Sequence, residues 1–507
     1  MKLLTCFVLL AILTVAGVAA SGNPYRTIEY WELNRSPGGN QLASLLNGSN
    51  RAVAARAALA LGRTGKLLAA DPLLQHTQAS DTAIRAMSIY GLGLLAPALS
   101  GTSLSAMLRP LAADRKARAG NAIVDALSDD ADAVRVAALD ATSRFAAAGD
   151  LSPSLTTASF AQVTHILRAD ASPVLRGRAA FALAYYAPTD RSLHIRALHA
   201  LETAYAHEDD DTARWHEMWA LGRSFAKDVD GKTIAAGLAD KSEIVQIQTL
   251  HVLERRLSAA WIPQVRPLTH DPRWQLNEEA HEAIAIMSGG KRTEHLRSLP
   301  PGVITPPPQP SPSEQPVSLA TPPKKLHRPT IDQLIYRPEI FPHTVAQITG
   351  PANGPHPRVA IVTTQGTITL VLYPEWAPST VASFLNLAKT GYYNNNRWFR
   401  IVPDFVVQTG DRTNTGDGDA GFTIPAEENP IEQDSGVISM GLDYDKNGPK
   451  RDSAGSQFYI TLSPQLHLDL AFTVFGHVET GFDVLGRLLE SDKIITIERL
   501  PDEQLGS

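Results

Sequence analysis

The sequence predicts a multidomain protein, with an all-α array of repeated helix pairs first and a smaller domain of antiparallel β-strands after it. Three observations carry this reading. A helical pattern returns seven times between Gln41 and about Gly290, a proline-rich run interrupts the chain after Leu299, and strand-and-turn alternation begins at Val359. At 507 residues the chain is too long for one ordinary core, and with 44% hydrophobic residues it has ample material for several. A net charge of −6 and a pI near 6.2 argue against a general nucleic-acid binder.

Met1-Lys2 precede an apolar run from Leu3 to Ala20, and Val18-Ala19-Ala20 before Ser21 offer the small residues a signal peptidase reads. Residues 1–20 are therefore expected to be a cleaved signal peptide. The expected location is the bacterial periplasm, with an uncleaved membrane anchor as the alternative. Cys6 is the only cysteine and lies inside this segment, so the mature chain would have no thiol for disulfides, thiolate catalysis or Cys-type metal sites. No later segment is apolar over a comparable length, so no membrane span is expected after cleavage.

The repeated pattern defines the region 21–297. Copies begin at Asn50, Asp81, Asp132, Ser172, Asp211, Ser242 and Asp271, at separations of roughly 30 to 50 residues, the spacing of stacked helix pairs. Ser172 and Asp271 can cap helices that open with Pro173 and Pro272, where no amide donor is needed. Val134, Ala137, Ala138 and Ala141 recur at helical spacing, and alanines let neighbouring helices approach closely. These copies resemble the HEAT-repeat family of α-solenoids, which implies a surface for a protein partner; an irregular helical bundle is the alternative. The scattered histidines do not pair as metal ligands do. His207-Glu208-Asp209-Asp210-Asp211 reads as a solvated inter-helix loop, and Trp215, Trp219 and Trp261 read as core.

Residues 298–355 form the next segment. Thr305-Pro306-Pro307-Pro308-Gln309-Pro310-Ser311-Pro312 suits neither helix nor sheet, because proline lacks the donor and fixes φ. It reads as an extended, semi-rigid linker. Ile331 to Ile348 regain apolar content and are expected to pack against a domain.

The last region, 356–507, begins with Val359-Ala360-Ile361-Val362 and Thr367-Ile368-Thr369-Leu370-Val371-Leu372 flanking Gln365-Gly366, a hairpin pattern. Ala377-Pro378-Ser379-Thr380 opens a helix that Gly391 can end. Short strands are expected around Phe405, Val437 and Phe458, and a final helix near Phe482 to Leu489.

Two stretches here carry the chemistry. The first, Trp398-Phe399-Arg400-Ile401-Val402-Pro403-Asp404-Phe405-Val406-Val407-Gln408-Thr409-Gly410-Asp411, places one cation among apolar residues. If it runs largely extended, with a kink at Pro403-Asp404, then Arg400, Val406 and Gln408 fall broadly on one side. The bland alternative is an arginine whose stem packs on a strand while its head reaches water. The second, Gly455-Ser456-Gln457-Phe458-Tyr459-Ile460, is followed by Leu468-Asp469 and Phe472-Thr473-Val474-Phe475-Gly476. In this order the two stretches resemble the cyclophilin family of peptidyl-prolyl cis-trans isomerases, over about Val359 to Leu500.

The resemblance implies an eight-stranded antiparallel β-barrel with two capping helices, and isomerisation of X-Pro bonds in client proteins without cofactor or metal. By residue-for-residue match, Arg400 is the catalytic arginine. Phe405, Val406, Tyr459 and Leu468 line the proline pocket, Gln408 holds the substrate backbone, and Gln457 braces Arg400 or simply supports the core. Tyr459 stands where Phe is usual, so its hydroxyl needs a partner. His467 takes a rim position usually held by a large aromatic, and Phe472 a position often held by His. Gly441-Leu442 replace Ala-Asn, and the loop to Gly455 is longer than the family's. Asp443, Asp445 and Asp452 in that loop read as solvated acids rather than a metal cluster. A weakly active scaffold that only binds proline-containing segments is the alternative function.

Overall fold

The structure, a computed structural model, describes residues 24–290 and 356–501 apart from 102–103, 150, 187–189, 403–404 and 447. The expected signal peptide and the proline-rich linker, with its apolar end at Ile331 to Ile348, lie outside the described residues. The chain divides into two compact units, one all-helical and one β-rich.

In the helical unit, α1 (Arg51–Arg63), α2 (Thr82–Leu94), α3 (Asp132–Ala147), α4 (Pro173–Tyr186), α5 (Asp211–Ser224), α6 (Glu243–Arg256) and α7 (Trp274–Met287) correspond to the seven sequence copies. Consecutive helices from α1 to α6 pack against one another, and a second set of helices, among them 109–126, 153–169 and 191–205, covers them. Alanine and glycine permit this closeness. A Cβ on Gly62 would stand 2.5 Å from the Gly91 Cα, so α1 and α2 cross backbone to backbone. Side chains of Asn50, Asp81 and Asp210 cap α1, α2 and α5 by accepting from Val53, Ile84 and Ala213 amides at 3.2, 3.1 and 2.9 Å. Pro173 is the first residue of α4 as expected, whereas α7 starts at Trp274, two residues beyond Pro272.

A ladder of arginines fixes the repeat register. Arg85, Arg135, Arg176 and Arg214 each sit in the first turn of a stacked helix and reach the acid that precedes the next one. Arg85 meets Asp129 at 3.0 Å and Arg135 meets Asp170 at 3.4 Å. Arg176 meets Glu208 at 2.6 and 2.8 Å, and Arg214 meets Asp240 at 2.9 and 3.1 Å. Each acid also accepts an amide two residues on, from Ala131, Ser172, Asp210 and Ser242 in turn. The segment at His207–Asp211 is an inter-helix loop as expected, with His207 and Asp209 exposed, and it also has a structural part: Glu208 is one of the rungs and Asp210 is a cap. Trp215 and Trp219 are buried as expected, while Trp261 is partly exposed.

The second unit holds one eight-stranded antiparallel sheet in the order β10-β1-β2-β9-β5-β8-β4-β3, with a separate two-stranded ribbon β6-β7. The strands are β1 (Arg358–Thr363), β2 (Gly366–Leu372), β3 (Arg400–Val402), β4 (Val406–Thr409), β5 (Val437–Met440), β6 (Tyr444–Asp445), β7 (Gly448–Pro449), β8 (Phe458–Thr461), β9 (Val474–Thr480) and β10 (Ile494–Arg499). The sheet curls so that its outer strands approach. A bridge pairs Arg397 with Lys493, and Asn395 and Ile494 amides donate to Ile494 and Asn396 carbonyls at 2.8 and 2.9 Å. The edges therefore meet through a short seam rather than a full strand ladder.

Two helices accompany the sheet, α8 (Pro378–Lys389) and α9 (Phe482–Arg487), with Gly391 at φ +67° stopping the first. The α8 N-terminus is satisfied from a distance: Ser379 and Thr380 amides donate to the buried Glu427 carboxylate at 3.1 and 2.8 Å. Inside the sheet lie Ile361, Leu370, Phe384, Trp398, Ile401, Val407, Ile438, Phe458, Ile460 and Phe475.

Candidate active site

Strand alternation sends Ile401, Val407, Ile438, Phe458 and Ile460 to the core, so their neighbours must face the other way. Register then aligns Arg400 with Gln408, Gln408 with Tyr459, and Tyr459 with Ser439, a row across β3, β4, β8 and β5. The stretch from Arg400 to Gln408 does not stay extended. It doubles back, β3 pairing antiparallel with β4, and the Phe405 amide donates to Val402 O at 3.1 Å. Arg400 and Gln408 thereby become direct cross-strand partners.

On this outer face Val406, Tyr459, Leu468 and Phe472 form a buried apolar cluster apart from the main core, with Phe405, Leu442 and Ala471 against it. Tyr459 and Phe472 meet edge to face at 5.8 Å. The Arg400 guanidinium lies 5.3 Å from the Phe405 ring centre. Phe405 in turn stacks on His467, at 5.4 Å and 23°, and His467 is exposed at the rim. A cavity of about 680 Å³ opens over these groups, lined by Arg400, Phe405, Gln408, Gln457, His467 and Leu468 among others.

The amides form a relay. Arg400 Nη1 donates to Gln408 Oε1 at 3.3 Å, and Gln408 Nε2 donates to Gln457 Oε1 at 2.9 Å. Gln457 Nε2 donates to Gly416 and Gly418 carbonyls at 2.8 and 2.9 Å. Gln457 thus reaches Arg400 through Gln408 rather than directly. The Gly416–Gly418 turn is itself built on Asp411, whose buried carboxylate accepts amides of Thr413, Thr415 and Gly416 at 2.7, 2.9 and 2.7 Å. Burial pushes the Asp411 carboxyl up, but the Thr413 hydroxyl and the amides of Thr413, Gly416 and Gly418 outweigh it and hold it below the usual range. Gly418 is required here, since a Cβ would fall 1.9 Å from Asp411 Oδ1.

The Tyr459 hydroxyl finds Gln433 Oε1 at 3.3 Å, an oxygen shared with Ser439 Oγ at 3.1 Å. Burial nonetheless holds this phenol well above its ordinary pKa. Gln433 is a residue that sequence reasoning missed, because it stands 26 positions away with no local pattern to mark it. Tyr444, which also lines the cavity, was missed because the family pattern names no residue in this part of the longer loop. Two acids of that loop have protein partners, Asp443 with Lys450 at 3.3 Å and Asp452 with the Ala426 amide at 2.8 Å. Among the described residues, His251, Glu254 and Glu279 of the helical unit bring three ligand-type atoms within 4.8 Å of one another, with His251 and Glu279 paired at 3.0 Å.

The model of the cyclophilin-type peptidyl-prolyl cis-trans isomerase family matches residues 358–499. A peptidyl-prolyl cis-trans isomerase-like 1 of Aspergillus niger is 42% identical over 135 residues, which is 26% of this chain and 80% of that protein. The chain belongs to the cyclophilin family. The isomerase CYP18-2 of Arabidopsis thaliana is 39% identical over 141 residues, 27% of this chain and 82% of its own. The isomerase-like 1 of Mus musculus is 39% identical over 133 residues, covering 26% and 79%. A crystal structure of a Cryptosporidium parvum cyclophilin-type isomerase is 28% identical, covers 29% of this chain and 98% of that one, and has a TM-score of 0.27.

The cyclophilin domain is thus the β-rich unit, and the helical unit lies outside the family match. These relatives come from fungi, a plant and a mammal, so the expected address in a bacterial periplasm does not stand. Among the described residues no helix is long and apolar enough to cross a membrane.

Proposed function

We propose that the cyclophilin domain isomerises X-Pro bonds in client proteins, with Arg400 stabilising the twisted amide and the apolar cluster receiving the proline ring. The supporting observation is that Arg400, bonded to Gln408, lines one cavity with Phe405 and Leu468, and Leu468 belongs to the buried cluster of Val406, Tyr459, Leu468 and Phe472 against which Phe405 packs.

Amide resonance sets a barrier of roughly 18–20 kcal/mol, so an X-Pro bond changes isomer only in tens to hundreds of seconds. Reaching about a millisecond needs a factor of roughly 10⁴–10⁵, or about 5.5–7 kcal/mol. When the bond twists, its nitrogen becomes more basic and its carbonyl less charge-separated. A donor aimed at that nitrogen favours the twisted state over the planar one. One such donor contributes about 2.7–4 kcal/mol. The apolar floor supplies the rest by excluding water, which favours the planar, polar amide. No bond is made or broken and no proton moves.

In this reading Gln408 holds the substrate backbone, Gln457 positions Gln408, and His467 forms part of the rim. The domain limits follow as 21–297 for a HEAT-like array, 298–355 for a linker and 356–507 for the isomerase. The array would hold a protein partner, a role favoured by exposed apolar side chains such as Leu68, Met107, Val174 and Ile195.

The test is prolyl-peptide isomerisation by the full chain. Arg400→Ala should lower kcat/KM by about 10²–10³. Background rates in both proteins would leave only the scaffold reading.

A further inference from the structure

The chain beyond Leu442, longer than the family pattern, folds as a small hairpin in which Tyr444–Asp445 pair antiparallel with Gly448–Pro449. Its base is closely bonded. The Lys450 amide donates to Asp443 O at 2.7 Å, and the Asp443 amide donates to Ser453 Oγ at 2.9 Å. Ser453 Oγ donates to Lys450 O at 2.7 Å. Just beyond, Arg451 is paired with Glu428 at 2.5 Å, and the Asp452 carboxylate accepts the Ala426 amide. The hairpin is therefore tied to the segment that leads into β5.

The aromatic side chain this hairpin brings to the cleft is Tyr444, beside Asp443, Lys450 and Ser453 of its base. Its ring lies 6.4 Å from Phe472, tilted by 38°, and Phe472 belongs to the apolar cluster that includes Leu468 of the cavity wall. Tyr444 lines the same cavity as Arg400. Yet it is 63% exposed. A large aromatic held by a braced hairpin, touching an apolar floor with most of its surface in water, gains contact only when something enters the cleft.

We propose that Tyr444 is a specificity-determining residue, the wall of a subsite for the residue preceding the substrate proline, and that it favours an aromatic or large apolar side chain there. This rests on the isomerase reading above. With the proline ring on the Val406, Tyr459, Leu468 and Phe472 cluster and its nitrogen facing Arg400, a ring that meets Phe472 and lines the same cavity as Arg400 stands beside the bond joining proline to its predecessor. The predecessor's side chain then passes over Tyr444. Tyr444 acts on which peptides bind, and Arg400 on how fast they turn over.

The experiment uses the full chain and short peptides that differ only in the residue before proline, with Gly, Leu or Phe at that position. For wild type, kcat/KM and calorimetric Kd should both favour Phe over Gly. In Tyr444→Ala the Phe-over-Gly ratio should fall about two- to tenfold, the range an aromatic pair contributes, while Tyr444→Phe should keep it. An unchanged ratio in Tyr444→Ala, with the protein folded by circular dichroism, overturns the proposal. A wild type that prefers Phe in binding but turns over no peptide would remove the isomerase reading and leave the subsite standing. No preference in binding would remove the subsite whatever the activity.

Discussion

Arg400 is placed by cross-strand register and held by an amide relay that ends on the turn built by Asp411. The relay matters because a long cationic side chain left to itself spreads over several rotamers, whereas a donor must be aimed to stabilise a transition state. The rim is less developed. His467 lies flat on Phe405, and an exposed imidazole offers less apolar area than an indole. Cyclosporin should therefore bind weakly, and His467→Trp should tighten it by about tenfold in a calorimetric titration. Nanomolar binding by the wild type would contradict this view of the rim. The residues of this site were legible where the family pattern names them. Gln433, Ser439 and Tyr444 were not, because their contacts depend on strand register and on a hairpin in a loop that the family pattern does not describe.

Among the elements, the stacked helices show what pairing costs and where it is incomplete. Arg85, Arg176 and Arg214 each donate to two backbone carbonyls and to an acid of the next repeat, which satisfies most of their donors, whereas Arg135 meets one carbonyl and its Nε has no partner. Glu217 on α5 is different: it is fully buried and neither carboxylate oxygen has a hydrogen-bond partner. Burial, and then the charge of Glu208, push its pKa well above the usual carboxylate range, against the pull of Arg176 and Arg214. The folded state thus binds this proton more tightly than the unfolded chain does. That contribution to stability is complete below the ordinary carboxylate pKa and is lost as pH rises through the folded value. Glu217→Gln should accordingly raise Tm at pH 8 relative to wild type, by the equivalent of about 1–3 kcal/mol, with the difference shrinking toward pH 4. A constant difference across that range would mean that Glu217 is not the titrating group. The starts of the helices could be read from the sequence because caps and alanine spacing are local. The ladder was hidden, since Asp129 and Arg135, or Asp170 and Arg176, look like ordinary surface charges until stacking brings each arginine to the next acid.

At the scale of the whole molecule, one chain carries two units whose cohesion has different sources, a ladder of ion pairs between small-residue helices and a single sheet around aromatic residues. The division was legible because proline content changes abruptly between them. The bacterial address was not sound, because an apolar N-terminal run says nothing about the organism whose proteins are related. Arg176→Ala removes one rung and leaves Glu208 without its cation. It should lower the urea midpoint of the helical signal, at a cost of about 2–4 kcal/mol, while prolyl isomerisation measured on the same samples persists unchanged. Parallel loss of both signals would show that the units depend on each other. The most direct test of the central claim separates binding from turnover. Exchange NMR on a proline peptide at equilibrium reports cis–trans interconversion and occupancy in one sample. Wild type should accelerate exchange strongly, and Arg400→Ala should bind the peptide within a few-fold of wild type while slowing exchange by about 10²–10³. Undiminished exchange in Arg400→Ala would contradict the assignment of the guanidinium as the group that stabilises the twisted amide.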